Sequence, residues 1–192
     1  AGRDDVAGYA IARPLAHPPG TYWSYSSGTS NIVAAIVGGA VGGGRAGMEA
    51  HLRDALFAPI GMRSARPRFD AAGTFIGSSF VFATARDFAR FGLLYLRDGV
   101  WDGRRVLPPG WVDQARTPTP ASFDRYGTHW WLALDGSGIF TANGYQGQYV
   151  VVDPGRDLVL VRLGVSSPEQ RATVVHDLRR LVDAFPPLGE RR

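Results

Sequence analysis

The sequence contains no lysine and no cysteine. The absence of cysteine excludes disulfides and thiolate metal sites, and leaves the redox compartment open. The absence of lysine makes every one of the 21 basic side chains an arginine. It also excludes a Ser-x-x-Lys nucleophile motif within these residues. Long apolar runs are missing too. Residues 32–44 form the longest small-apolar stretch, and glycines interrupt it. It falls short of the about 20 apolar residues that a membrane-spanning helix needs, so no membrane span is expected. There is no phosphate-binding loop and no Gly-x-Ser-x-Gly elbow. No signal-peptide pattern opens at Ala1, and any signal encoded upstream would lie outside this sequence, so the compartment is left unassigned. Histidines are few. His17, His51, His129 and His176 are isolated, without metal-ligand spacing, so neither a metal nor a cofactor is expected.

What remains is the composition of a folded chain: 45% hydrophobic, 11% aromatic and 20% charged. That supports one domain, or part of a larger one, with a real core. The net charge is +4. Nucleic-acid binding would require clustered arginines. Here they are scattered beside acids, as in Arg86-Asp87, Arg97-Asp98 and Arg156-Asp157. No nucleic-acid partner is expected.

The order of patterns suggests helices first, then a meander, then a closing helix. Residues 1–20 read as a lead-in ending at Pro18-Pro19-Gly20. Residues 31–41 have helical apolar content, with Ser30 or Asn31 as N-cap. Residues 48–57 form a short amphipathic helix stopped by Pro59. Thr84 opens a clearer helix, in which Phe88, Phe91, Leu94 and Tyr95 fall on one face. Strands are expected at 130–134, 139–142, 148–152 and 158–163. The turns between them carry Asp135-Gly136-Ser137-Gly138, Asn143-Gly144 and Asp153-Pro154-Gly155-Arg156. Short links imply antiparallel pairing. Residues 170–185 form a final helix with Val174, Val175, Leu178, Leu181 and Val182 on its apolar side. The fold class is α+β: an antiparallel sheet flanked by helices. Residues 1–125 make the mainly helical part and 126–192 the strands and closing helix.

Three stretches carry the chemistry. The first is Trp23-Ser24-Tyr25-Ser26-Ser27-Gly28-Thr29-Ser30-Asn31, after Pro18-Pro19-Gly20-Thr21. The second is Phe140-Thr141-Ala142-Asn143-Gly144-Tyr145-Gln146-Gly147-Gln148, before Val150-Val151-Val152-Asp153-Pro154. The third runs from Gly73-Thr74-Phe75-Ile76-Gly77-Ser78-Ser79 through residues 84–96 to Gly110-Trp111-Val112. Taken by themselves, Tyr25 and Ser27 could simply flank a helix start, and Asn143-Gly144 could simply be a hairpin turn. His129 has no evident carboxylate partner and reads as a strand-start residue. Trp130 and Trp131 should take opposite faces of the sheet.

Together the three stretches resemble the C-terminal half of the penicillin-recognising serine hydrolases. That family includes class C β-lactamases, related esterases, D-alanyl-D-alanine peptidases and nylon-oligomer (6-aminohexanoate) hydrolases; the resemblance is nearest to the nylon-oligomer hydrolases and the class C β-lactamase-related esterases. The resemblance implies a β-lactamase/transpeptidase-like fold lacking its N-terminal part, so residues 1–192 are expected to be one portion of a single domain. It implies Tyr25 as proton shuttle, Ser27 as its polar partner and the Tyr145 backbone N–H as an oxyanion donor. Ala142, Asn143, Gly144, Gln148, Ser78 and Trp130 are implied to border the substrate. A phenol near its ordinary pKa of about 10 is a weak base, so this tyrosine works only beside a cation or in a shared proton relay. The family's Lys-Thr-Gly or His-x-Gly triplet aligns with Ala142-Asn143-Gly144. Alanine removes the cation that meets a β-lactam carboxylate, which points to a small-molecule ester or linear amide substrate. The intact enzyme would then work through an acyl-enzyme, while this chain alone is expected to be inactive. The other reading is a non-catalytic binding module or degenerate remnant. Both readings expect an exposed apolar face capable of self-association.

Overall fold

The computed structural model describes residues 4–133 and 135–190, which divide into two compact units, Ala1–Thr84 and Ala85–Arg192. Leu134, within one expected strand, lies outside the described residues.

The first unit is built on three helices: α1 (Val6–Ile11), α2 (Ser27–Val41) and α3 (Gly44–Leu52). Asp5 caps α1 by accepting the Gly8 N–H at 2.7 Å. Asp70 fastens the helix from the other side. Its Oδ2 accepts the Val6 N–H at 2.9 Å and its Oδ1 accepts the Thr74 N–H at 2.8 Å. α2 begins four residues earlier than the sequence suggested. Ser26, extended at φ −138° and ψ 117°, accepts the Thr29 N–H and is the N-cap. Ser30 and Asn31 therefore lie inside the helix. The outward side of α2 leaves Val33 and Ile36 exposed. α3 runs on into a π-helical turn, Arg53–Phe57, marked by Ala58 N–H donating to the Arg53 carbonyl. This single stretch corresponds to the helix expected over 48–57.

The second unit is a sheet between helices. α4 (Ala85–Leu96) leads into a small hairpin, β1 (Val100–Trp101) and β2 (Arg104–Arg105), and then α5 (Trp111–Arg116). Four strands follow: β3 (Trp131–Leu132), β4 (Phe140–Gly144), β5 (Gln148–Asp153) and β6 (Leu158–Arg162). They pair antiparallel in sequence order, the meander the turn signals implied. Alternation sorts the side chains onto two faces. Phe140, Val150 and Val152 pack with Trp130 and Ala115 against Phe88, Phe91 and Tyr95. Tyr149 and Val151 pack with Ile139 against α6 (Arg171–Asp183) through Leu178 and Val182. Being covered on both faces explains the unbroken apolar run in β5. On α6 the buried stripe is narrower than expected. Val175 and Leu181 are exposed, and Val174, Leu178 and Val182 alone face the sheet. Spacing of four residues keeps these three on one line, from which positions 175 and 181 are rotated away. The architecture is mixed helix and antiparallel sheet. Among the described residues, no helix is long and apolar enough to cross a membrane.

Candidate active site

The candidate residues form one group in each unit. In the first, Tyr25 lies in the extended segment leading to the Ser26 cap, and its side chain is exposed. Ser27 is the first residue of α2 and also exposed. The cap role therefore belongs to Ser26, and Ser27 is left for other contacts. One turn further on, Asn31 is buried, and its Oδ1 accepts the Ser78 N–H at 3.3 Å. Gly77 makes that approach possible. A Cβ there would stand 2.9 Å from the Ala34 Cβ and 3.2 Å from the Ser30 carbonyl oxygen. Ser78 is thus brought to the second turn of α2, the helix that carries Ser27. Asn31, which the sequence offered as a helix cap, instead holds the Ser78 backbone from inside the helix.

In the second unit the group is a hairpin. Asn143 and Gly144 are strand residues, paired with Tyr149 and Gln148. The turn is Tyr145-Gln146-Gly147, not Asn143-Gly144 as the dipeptide suggested. Gln146 and Gly147 take positive φ, 57° and 90°, and supply the reversal. Glycine at 144 is required by the strand partner. A Cβ there would lie 2.8 Å from the Gln148 Cβ.

Every carbonyl of this turn is held. The Tyr145 oxygen accepts from Gln148 Nε2 at 3.2 Å, the Gln146 oxygen from the Ser166 N–H at 2.9 Å, and the Gly147 oxygen from Arg162 Nη1. Among the described residues, the Tyr145, Gln146 and Gly147 N–H groups have no backbone or side-chain acceptor. A turn fixed on its carbonyl side with its donors unused can bind an anion or a developing oxyanion. The tyrosine ring itself is 84% exposed.

Trp130, implied by the resemblance to border the substrate, is a core residue of this unit. It is 2% exposed and wedged among Phe91, Tyr95 and Phe140, with ring centroids 4.7 to 6.0 Å away. Trp131 takes the other face, edge-on to Tyr126. The Gln148 amide is bonded to backbone groups on both of its polar atoms. Besides Tyr145, its Nε2 donates to the Gly164 carbonyl and its Oε1 accepts the Gly164 N–H, each at 2.8 Å. Ala142 packs on the core shared by Trp130 and Phe140. The Asn143 Oδ1 is buried and accepts no hydrogen bond among the described residues. His129 sits exposed in the bend before β3. No group of three His, Asp or Glu is placed to hold a metal ion among the described residues. A shallow cavity of about 500 Å³, lined by Leu93, Arg97, Val100, Trp101, Asp102 and Gly103, contains none of the candidate residues.

The family model described as Beta-lactamase matches residues 2–184. The chain belongs to the beta-lactamase family. It is 30% identical over 141 residues to a 6-aminohexanoate-dimer hydrolase of Paenarthrobacter ureafaciens, a match taking in 64% of this chain and 36% of that enzyme. A Bacillus anthracis structure assigned as a 6-aminohexanoate-dimer hydrolase superposes with a TM-score of 0.78 and 25% identity, over 94% of this chain and 50% of that one. A Bacteroides dorei structure assigned as a beta-lactamase shares the fold at a TM-score of 0.68 and 16% identity, over 95% of this chain and 65% of that one. The chain therefore spans between about one-third and two-thirds of the length of these relatives, and the beta-lactamase fold is present in part.

Proposed function

We propose that this chain supplies active-site residues of a beta-lactamase-family serine hydrolase that cleaves small esters or linear amides. Tyr25 moves the proton between nucleophile and leaving group, with Ser27 and Ser78 bordering it. The Tyr145 N–H receives the oxyanion of the tetrahedral intermediate. The nucleophilic serine and its lysine come from a Ser-x-x-Lys motif outside this sequence, which has no lysine. Serine attacks the carbonyl carbon, its proton passes by way of Tyr25 to the leaving oxygen or nitrogen, and water then releases the acyl group. Alanine at position 142 leaves no cation for a β-lactam carboxylate, which favours small esters or linear amides over β-lactams.

The observation that carries this reading is the Tyr145 turn, with its three carbonyls tied back and its N–H groups open. One preorganised donor of this kind contributes about 3 kcal/mol to lowering the barrier. The likeness to two 6-aminohexanoate-dimer hydrolases supports an amide or ester bond as the target. The test has two parts. The 192-residue chain alone, incubated with a nitrophenyl ester or a fluorophosphonate, is expected to give no burst and no serine adduct. The DNA upstream of the Ala1 codon is expected to encode an in-frame Ser-x-x-Lys. A burst mapped to a serine of this chain, or an upstream frame without that motif, overturns the proposal.

A further inference from the structure

The turn that presents the Tyr145 N–H is held from behind by a side chain to which no role has been given. Arg162 is the last residue of β6 and half-buried. Its Nη1 donates to the carbonyls of Gly147 and Gly164, and its Nη2 donates to Ser166 Oγ at 2.7 Å. Ser166 is itself buried and returns its N–H to the Gln146 carbonyl. Gln148 closes the arrangement by bonding Tyr145 on one side and both polar groups of Gly164 on the other. Two glycines leave room for the guanidinium. A Cβ at Gly147 would stand 2.9 Å from Arg162 Nη1, and one at Gly164 would stand 3.4 Å from Nη2.

We propose that Arg162 is a positioning residue for the Tyr145 N–H, acting through this clamp with Gln148 and Ser166 on the carbonyl side of the turn. The proposal rests on the oxyanion role given to Tyr145 above. A peptide is planar and trans, so fixing a carbonyl fixes the N–H of the next residue. The held Tyr145, Gln146 and Gly147 carbonyls orient the Gln146, Gly147 and Gln148 N–H groups directly. They restrain the Tyr145 N–H, which shares its plane with the Gly144 carbonyl, from the neighbouring peptides. The Tyr145 N–H is bracketed by Gly144, in register with Gln148, and by its own carbonyl, held by the Gln148 amide. Arg162 keeps the far end of the turn from pivoting. An arginine suits the task because its rigid fork serves three acceptors in different directions. A lysine ammonium at the same place offers donors from a single point. Donor placement matters because a displacement of about 1 Å is enough to cost on the order of 100-fold in rate.

The test uses Arg162→Met, Arg162→Lys and Ser166→Ala. In the 192-residue chain, ¹⁵N order parameters are measured for the amides of the turn. In the hydrolase with its Ser-x-x-Lys part present, kcat and KM are measured on a nitrophenyl ester. With Arg162→Met, the Tyr145 and Gln146 amides are expected to fall from about 0.85 to below about 0.6, while Thr141 and Val151 stay rigid. The value of kcat is expected to drop at least about tenfold with KM nearly unchanged, and Arg162→Lys to fall between. Ser166→Ala, which keeps the backbone bond to Gln146, should move both readouts the same way by less; it decides the matter if Arg162→Met does not fold. Unchanged order parameters in the turn, or a rise in KM at constant kcat, overturn the clamp. A wild-type protein without turnover would overturn the oxyanion reading instead, and the order parameters would still decide the clamp.

Discussion

The Asp153 carboxylate is 1% exposed, and its Oδ2 lies 3.0 Å from Arg156 Nη1. Asp153 also caps the short turn after β5 by accepting the Arg156 N–H at 3.2 Å. The same guanidinium reaches Asp183 of α6 at 3.2 Å and the Phe185 carbonyl at 2.9 Å. One arginine therefore joins the end of the central strand to the end of the closing helix. Arg156→Met would leave a buried carboxylate without its cation, a loss of about 3 kcal/mol. Urea denaturation should show a lower midpoint. Adding Asp153→Asn to that variant should recover part of the loss, because no buried charge then remains. A single variant as stable as the parent would show that the pair holds nothing.

Gly92 and Gly38 predict opposite outcomes for the same change. Both are glycines inside helices, where alanine is favoured by about 1 kcal/mol on propensity alone. At Gly92 of α4, a Cβ would meet Val159 Cγ1 at 2.6 Å and Val150 Cγ1 at 3.1 Å. Overpacking of this degree costs about 1 to 3 kcal/mol, which outweighs the propensity gain. At Gly38 of α2 nothing lies within 4 Å. Gly92→Ala should therefore lower the melting temperature and Gly38→Ala raise it. A rise for Gly92→Ala would mean that the α4–sheet contact is looser than these distances.

The sheet was legible because its signals are local and agree. Val150, Val151 and Val152 make a strand that must be buried on both faces, and Asp153-Pro154-Gly155 ends it where it should. The start of α2 was less legible because Ser24, Ser26, Ser27 and Ser30 are all chemically able to cap. Which one does so depends on the extended backbone at Ser26, which residue type does not reveal. The opposite facing of Trp130 and Trp131 follows from strand alternation. Which of them is buried depends on where α4 places Phe91 and Tyr95, a tertiary fact. Gln148 and Arg162 were harder still. An amide and a guanidinium bond ligand or backbone equally well, and only the turn geometry decides between them.

Stability should depend weakly on pH through Asp135. Its carboxyl is held well below the usual carboxylate range, first by the Ser137 side chain, then by the Ser137 N–H and by Arg179. The Arg179 contact is 2.7 Å, but both side chains are nearly half exposed. A carboxyl depressed in the folded state stabilises above its unfolded value of about 3.9 and loses that contribution as pH falls toward the folded value. Solvent and salt hold the effect to less than about 1 kcal/mol. Asp135→Ala should thus lower the melting temperature by about 1 to 2 °C at pH 7. The gap should narrow below about pH 4 and in high salt. A gap that widened on acidification would reverse the sign argued here.

Gly144→Ala separates the two reasons for a glycine at the end of β4. Gly144 is exposed, so a substrate reading asks only for open space beside it, and a methyl group would reduce binding and raise KM. The strand reading is different. The new Cβ would lie 2.8 Å from the Gln148 Cβ and 3.2 Å from its Cγ, so Gln148 must shift. Gln148 is the residue that holds the Tyr145 carbonyl, so its movement would be passed to the Tyr145 N–H. The expected result in the hydrolase with its nucleophile part present is a fall in kcat of about tenfold or more, with KM changing less. Steady-state kinetics on a nitrophenyl ester would read this directly. A rise in KM at constant kcat would assign the glycine to substrate clearance and detach it from the oxyanion role proposed for the Tyr145 turn.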